Sequence, residues 1–256
     1  MEIMKNPIES LSEYIFGKTI ASVRNKAGAQ IRIVKRGPYR ELLFNGTVFS
    51  RITEGKLLTG SYWDYFLPLP ALAKHPTILV IGLGGGTIPY QIESTYADAS
   101  VEVAELDESI ALLCRKFLGR DLKSKVVIAD GIDYMRSFSS KYDLIIADAY
   151  IDYNMPDEFF SDEFVDSAYK ALKDRGILAM NYTLTSYGIA QSKQFVEKLN
   201  AKFKTYMLAS PLSSGNRIVV CTKGYTKDEI AGSAASMLLA EEHTYITKAY
   251  REMQQL

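Results

Sequence analysis

Two patterns of apolar residues divide the chain. From about Thr19 to Ser50, apolar and polar residues alternate in the short runs TIASVRN, QIRIVKR and RELLFNG, broken at Gly28 and at Gly37-Pro38. Alternation of period two marks strands with one buried face, and the breaks are turn residues, so a small antiparallel sheet is predicted. From Thr77 onward, compact apolar runs alternate with segments whose apolar spacing is near the helical repeat. The predicted strands are TILVIG, VEVAEL, KVVIAD, YDLIIAD, GILAMNY, FKTYMLA and NRIVVCT. Between them ESIALLCRKFLG and SDEFVDSAYKALKD read as amphipathic helices, the second opened by Ser161 as N-cap and closed before Gly176. Strands alternating with helices are the sequence form of a mostly parallel sheet covered on both faces. Residues 226–256 read as a helical tail, with Thr226 and Asp228-Glu229 in its first turn and Met237, Leu238 and Leu239 as an apolar stripe. The expected organisation is a small β domain over 1–60, an α/β domain over 61–225 and a helical tail over 226–256.

Composition narrows the function classes. The 256 residues carry 30 Lys+Arg and 30 Asp+Glu, so no global basic field exists to gather nucleic acid or anionic membrane. No apolar run approaches the roughly 18 residues of a membrane span. The opening MEIMKNPIESLSEY has acids and a proline where a secretory signal needs an apolar stretch, so a cytoplasmic location is expected. Cys114 and Cys221 stand far apart without a CxxC, and His75 and His243 are the only histidines, which argues against disulfides and against any metal site. His75, beside Pro76, reads as a turn element, and the aromatic cluster Tyr62, Trp63, Tyr65 and Phe66 as a seam or a lid.

Candidate chemistry collects at strand ends. In ILVIGLGGGTIPYQI an apolar strand runs into Gly82, Gly84, Gly85 and Gly86 before a helix, a turn that leaves room for a ligand near a helix N-terminus. Nicotinamide, flavin and adenosylmethionine proteins all use such a turn. The next strand ends at Glu105, about 20 residues on, where nucleotide-binding sheets place an acid for ribose hydroxyls. Asp107 follows as a second contact or as a helix cap. A third strand ends in Asp130-Gly131, where an acid can accept from an adenine amino group, and a fourth at Asp148, followed by Tyr150 and Asp152. Carboxylates and phenols past an apolar strand suit the orienting and deprotonating of an amine.

Taken together, GSYWDYF, Lys74-His75-Pro76, VIGLGGGT, VEVAELDESI, VIADGIDYM, YDLIIADAY and MPDEFFSDEFVDSAYKALKDRGILAMNY resemble successive blocks of the spermidine synthase family, over most of residues 19–224. The resemblance implies a Rossmann-like class I methyltransferase fold, with a seven-stranded, mostly parallel sheet, behind a small N-terminal β-sheet. It implies aminopropyl transfer from decarboxylated S-adenosylmethionine to an amine, with methylthioadenosine as co-product. On that basis Glu105 binds ribose, Asp130 and Gly131 bind adenine, and Asp148 takes the proton of the attacking amine, with Tyr62, Tyr150 and Asp152 around it. Homodimers or tetramers follow from family precedent.

The chain departs from the family pattern at three places. Gly85 stands where GGGDGG has an aspartate facing the donor's amine, Tyr62-Trp63 replaces a Tyr-Gln pair, and DAYID has Ile151 where a second acid is usual. An aspartate at the first place would repel the carboxylate of ordinary S-adenosylmethionine. A standard putrescine enzyme is therefore not expected. Two further readings stand beside aminopropyl transfer: methyl transfer from S-adenosylmethionine on the same scaffold, yielding S-adenosylhomocysteine, and non-catalytic binding of an adenosyl nucleoside.

Overall fold

The alternating N-terminal runs form a four-stranded antiparallel meander: β1 (Lys18–Arg24), β2 (Gln30–Arg36), β3 (Tyr39–Phe44) and β4 (Thr47–Thr53). The computed structural model describes residues 17–151, 154–183, 189–208, 216–237 and 244–256. The three predicted strands are present, and a fourth joins them. Asn45 and Gly46 connect β3 to β4 with φ of 48° and 90°, the left-handed pair that lets a two-residue turn match strand twist. Ile31, Ile33 and Leu42 are fully buried on one face of this meander, in the same apolar cluster as Phe117 of the main domain. Arg40 also donates to the Phe117 carbonyl at 2.7 Å.

The second pattern gives β5 (Thr77–Ile81), β6 (Ser100–Glu105), β7 (Lys125–Ile128), β8 (Tyr142–Ala147), β9 (Leu172–Thr183), β10 (Lys204–Met207) and β11 (Asn216–Thr222). With β12 (Gln254–Gln255) they form one sheet ordered β12-β10-β11-β9-β8-β5-β6-β7. The strands from β9 to β7 run parallel, whereas β11 is antiparallel to β9, and β10 to both β11 and β12. The sheet is thus one strand wider than the seven expected, because Gln254 and Gln255 pair with Met207 and Tyr206. β5 has β6 on one side and β8 on the other, so the connections leaving β5 and β8 diverge and open a crevice at their carboxyl ends.

The helices are α1 (Thr87–Thr95), α2 (Glu108–Leu118), α3 (Gly131–Arg136), α4 (Asp162–Ala171), α5 (Ile189–Asn200), α6 (Lys227–Met237) and α7 (Thr244–Arg251). Their ends follow capping chemistry. Ser161 Oγ accepts from the Phe164 amide at 3.0 Å to open α4, and Gly119 closes α2 in the left-handed conformation. Thr226 and Glu229 form a reciprocal capping box at α6, their side chains each accepting from the other's amide. Met237 ends α6, while Leu238 and Leu239 lie outside the described residues.

The tail is tied to the core by one buried carboxylate. Asp64, fully buried in a short 3-10 helix (Tyr62–Phe66), accepts from the amides of Thr59, Gly60 and Ser61, from Gln91 Nε2 and from the Tyr245 hydroxyl at 2.6 Å. A buried charge is tolerated only with such a set of donors. In α7, Ile246, Ala249 and Tyr250 join the same apolar cluster as Trp63, Tyr65 and Phe66. Those last aromatics are the packed seam, and His75 sits at a positive φ of 48° in an exposed turn, paired with Asp98. Tyr245→Phe should lower unfolding stability by about 1–3 kcal/mol, the range for a lost hydrogen bond to a charged group, read from urea denaturation.

Candidate active site

The crevice at the carboxyl ends of β5, β6, β7 and β8 is a cavity of about 520 Å³. Gly82, Gly84, Glu105, Asp130, Gly131, Asp148, Tyr150 and Tyr62 all line it. Its opposite wall comes from β4, through Thr47, Val48 and Phe49. No Lys, Arg or His stands among the described lining residues.

Each acid reaches the cavity by a different local device. Glu105 is 7% exposed and its two oxygens accept from the Leu83 and Asp107 amides, both at 2.8 Å. Burial pushes its carboxyl above the usual range, opposed by those backbone donors. The carboxylate therefore fixes the glycine turn while keeping lone pairs for a ligand. Asp130 is the N-cap of α3: its Oδ1 accepts from the Ile132 and Asp133 amides at 2.9 and 3.0 Å, so the second oxygen carries no part of the cap.

Asp148 follows β8 directly. Its amide donates to the Ile81 carbonyl at 2.9 Å, which carries the β5–β8 ladder one residue further. Oδ1 accepts from Asn181 Nδ2 at 2.8 Å and Oδ2 from the Tyr62 hydroxyl at 3.2 Å. Burial lifts the Asp148 carboxyl from an ordinary 3.8 to about 6, and the two hydrogen bonds pull the other way. The Tyr62 phenol is raised far above its usual value, first by burial and then by the neighbouring Asp148 charge, so it stays a neutral donor. Tyr150 donates to the Asn181 carbonyl at 2.9 Å.

Gly85, Gly86 and Asp107, offered as ligand contacts and Asp107 also as a helix cap, are not among the described residues that line the cavity. Asp107 is the cap of α2, with Oδ1 accepting from Ser109 N at 2.8 Å and Oδ2 from Asn25 Nδ2 at 2.6 Å, so both oxygens are used in holding the helix and the N-terminal sheet. Gly86 is the left-handed N-cap of α1, and a Cβ there would press on Cys114 Sγ at 2.7 Å. Gly85 faces away from the cavity: its amide donates to Ser50 Oγ at 2.6 Å, and a Cβ would strike the Phe117 ring. A side chain at 85 thus has no path to a ligand while Phe117 holds that space. Asp152 lies outside the described residues.

Comparison with known proteins gives the geometry its context. A family model described as the spermine/spermidine synthase domain matches residues 66–230. The chain belongs to the spermine/spermidine synthase family. A probable polyamine aminopropyl transferase of Bifidobacterium longum is 25% identical over 227 residues, covering 87% of this chain and 49% of that protein. A polyamine aminopropyltransferase of Clostridium botulinum is 29% identical over 154 residues, covering 56% and 54%. The chain spans about half the length of the curated relatives it matches. Among solved structures, the spermidine synthase of Thermotoga maritima superposes with a TM-score of 0.69 at 20% identity, covering 91% of this chain and 84% of that one. Human methyltransferase-like protein 13 in complex with SAH superposes at 0.58 and 21% identity, covering 74% and 89%. The fold is thus the one shared by spermidine synthases and Rossmann-like methyltransferases.

Sequence reasoning missed Asn181 and the β4 wall. Asn181 is the lone amide in the otherwise apolar end of GILAMNY, and Asn45-Gly46 marks the hairpin that brings Phe49 and Ser50 to the glycine turn. Because the folded chain holds the Asp148 proton more tightly than an unfolded one, that group's stabilising contribution is full below about pH 4 and is lost as pH rises through about 6. Asp148→Asn should therefore gain stability relative to wild type on going from pH 4.5 to 7.5, by roughly 1–3 kcal/mol in urea denaturation.

Proposed function

We propose that this chain transfers an aminopropyl group from an adenosyl sulfonium donor of the decarboxylated S-adenosylmethionine type to an amine. The observation that carries the reading is Asp148: a carboxyl lifted to about 6, held by Tyr62 and Asn181, in one cavity with Glu105 and Asp130. The donor's adenosyl part fits the other acids. Glu105 keeps lone pairs for the ribose hydroxyls, and Asp130 keeps Oδ2 for the adenine amino group. Gly82 and Gly84 form the floor on which the donor's sulfur end would rest.

The sulfonium supplies the leaving group, so little remains for the protein beyond alignment and removal of one proton. A C–N bond forms as the C–S bond breaks, the neutral thioether departs, and the proton lost by the amine nitrogen passes to Asp148. A carboxyl near 6 is ionised in most molecules at neutral pH, yet basic enough to accept that proton. The acceptor end of the cavity is lined by Ile151, Asn154, Pro156 and Phe159, none of them charged. Ile151, 56% exposed, stands where a second acid would pair a distal ammonium, so the acceptor we propose is not a plain putrescine-type diamine.

Methyl transfer from S-adenosylmethionine is the second reading, suggested by the fold shared with human methyltransferase-like protein 13 in complex with SAH; position 85, which faces away from the cavity, does not choose between the two donors. Calorimetry with decarboxylated S-adenosylmethionine, S-adenosylmethionine and methylthioadenosine separates the two. Aminopropyl transfer predicts tighter binding of the decarboxylated donor; preference for the carboxylated one overturns it in favour of methyl transfer. Asp148→Asn should leave methylthioadenosine affinity within about threefold while lowering turnover by at least roughly a hundredfold, the usual weight of a general base. Unchanged turnover removes Asp148 from the reaction.

A further inference from the structure

We infer that Asn181 is a positioning residue that holds Asp148 as an ionised base facing the cavity, an inference that rests on the transfer reading above. Asn181 sits on β9, the strand beside β8, and is 2% exposed. It touches the base and a neighbouring phenol. Its Nδ2 donates to Asp148 Oδ1 at 2.8 Å, and its backbone carbonyl accepts from the Tyr150 hydroxyl at 2.9 Å. Asn181 Oδ1 is buried and makes no hydrogen bond among the described residues, so the bond to Asp148 is what orients the amide. Turned over, the amide would set Oδ1 against a carboxylate oxygen, acceptor against acceptor.

The electrostatic surroundings make this one donor matter. Near Asp148 are the neutral phenol of Tyr62, from the 3-10 helix, and the Tyr150 side chain, on its own loop; the same cavity is lined by Glu105 at the end of β6 and Asp130 before α3. No cation among the described lining residues offsets these acids or the burial. Among the described residues the charge on Asp148 is therefore held by two neutral hydrogen bonds, of which the one from Asn181 is the shorter. Without it the carboxyl would hold its proton more tightly near neutral pH and would be freer to rotate out of line.

The test follows the Asp148 carboxyl carbon by NMR titration in wild type, Asn181→Ala and the near-isosteric Asn181→Asp, with the signal assigned by its loss in Asp148→Asn. Methylthioadenosine affinity by calorimetry serves as the check on the folded site. Asn181→Ala should bind methylthioadenosine within about threefold of wild type while the Asp148 midpoint rises by roughly one unit. Asn181→Asp, which removes the donor and adds a like charge, should raise it further. In turnover, the acidic limb of the kcat/KM profile should move up by the same amount. A wild-type midpoint in either variant overturns the inference. Failure of wild type to bind methylthioadenosine overturns the functional reading instead, and the titration still decides the role of Asn181.

Discussion

Everything at this site depends on how closely the chain passes itself where β5 and β8 end. The two strands are parallel neighbours, and the Asp148 amide bonds to the Ile81 carbonyl just before the chain turns at Gly82. A Cβ at Gly82 would collide with the Asp148 carbonyl, and Gly82 also adopts a φ of 94°. Only glycine satisfies both the space and the dihedral. The glycine floor and the proposed base are consequently one rigid piece of sheet edge, not two loops that must find each other. That rigidity matters because a reacting group displaced by about 1 Å loses much of its effect.

Given that fixed frame, the three acids differ through their donors. Glu105 receives two backbone amides and Asp130 two more at a helix N-terminus, so each is built into the fold as a structural carboxylate with spare lone pairs. Among the described residues Asp148 receives none from the backbone. Two side chains from other elements, Tyr62 and Asn181, stand in for them. Burial, opposed by only these two side-chain donors, lifts Asp148 to about 6, the range in which proton transfer near neutrality is efficient. The same arrangement makes the ionised site a cost to folding, a common trade at functional positions.

Much of this was legible in the residues because period and strand ends were. Glu105, Asp130 and Asp148 each follow an apolar run, and the parallel sheet brings run ends to one rim. What a run end does not reveal is direction. Gly85 and Gly86 belong to the same glycine string as Gly82 and Gly84, yet they pack against Phe117 and Cys114 because the chain rotates as it enters α1. Asp107 resembles Glu105 in type and nearness, but two residues past the strand it has become the cap of α2. Asn181 was hidden for the opposite reason: inside an apolar strand a single amide reads as an irregularity until the neighbouring strand shows what it bonds. The fourth N-terminal strand required only the Asn-Gly turn to be weighed.

The Gly85 departure takes on a different meaning once its surroundings are known. From the sequence it reads as an aspartate lost from a donor pocket, a vacancy that one substitution would fill. In the fold the position is already occupied from outside: Phe117 of α2 lies where a side chain would begin, Ser50 of β4 accepts the amide, and Cys114 donates to the carbonyl at 3.2 Å. The glycine, the phenylalanine and the serine form one packing solution that joins the N-terminal sheet, the glycine turn and α2. Close packing of this kind resists single changes, because an added side chain must displace backbone or a fully buried ring. Position 85 therefore lies outside the cavity wall, whereas the N-terminal sheet contributes to that wall through Thr47, Val48 and Phe49.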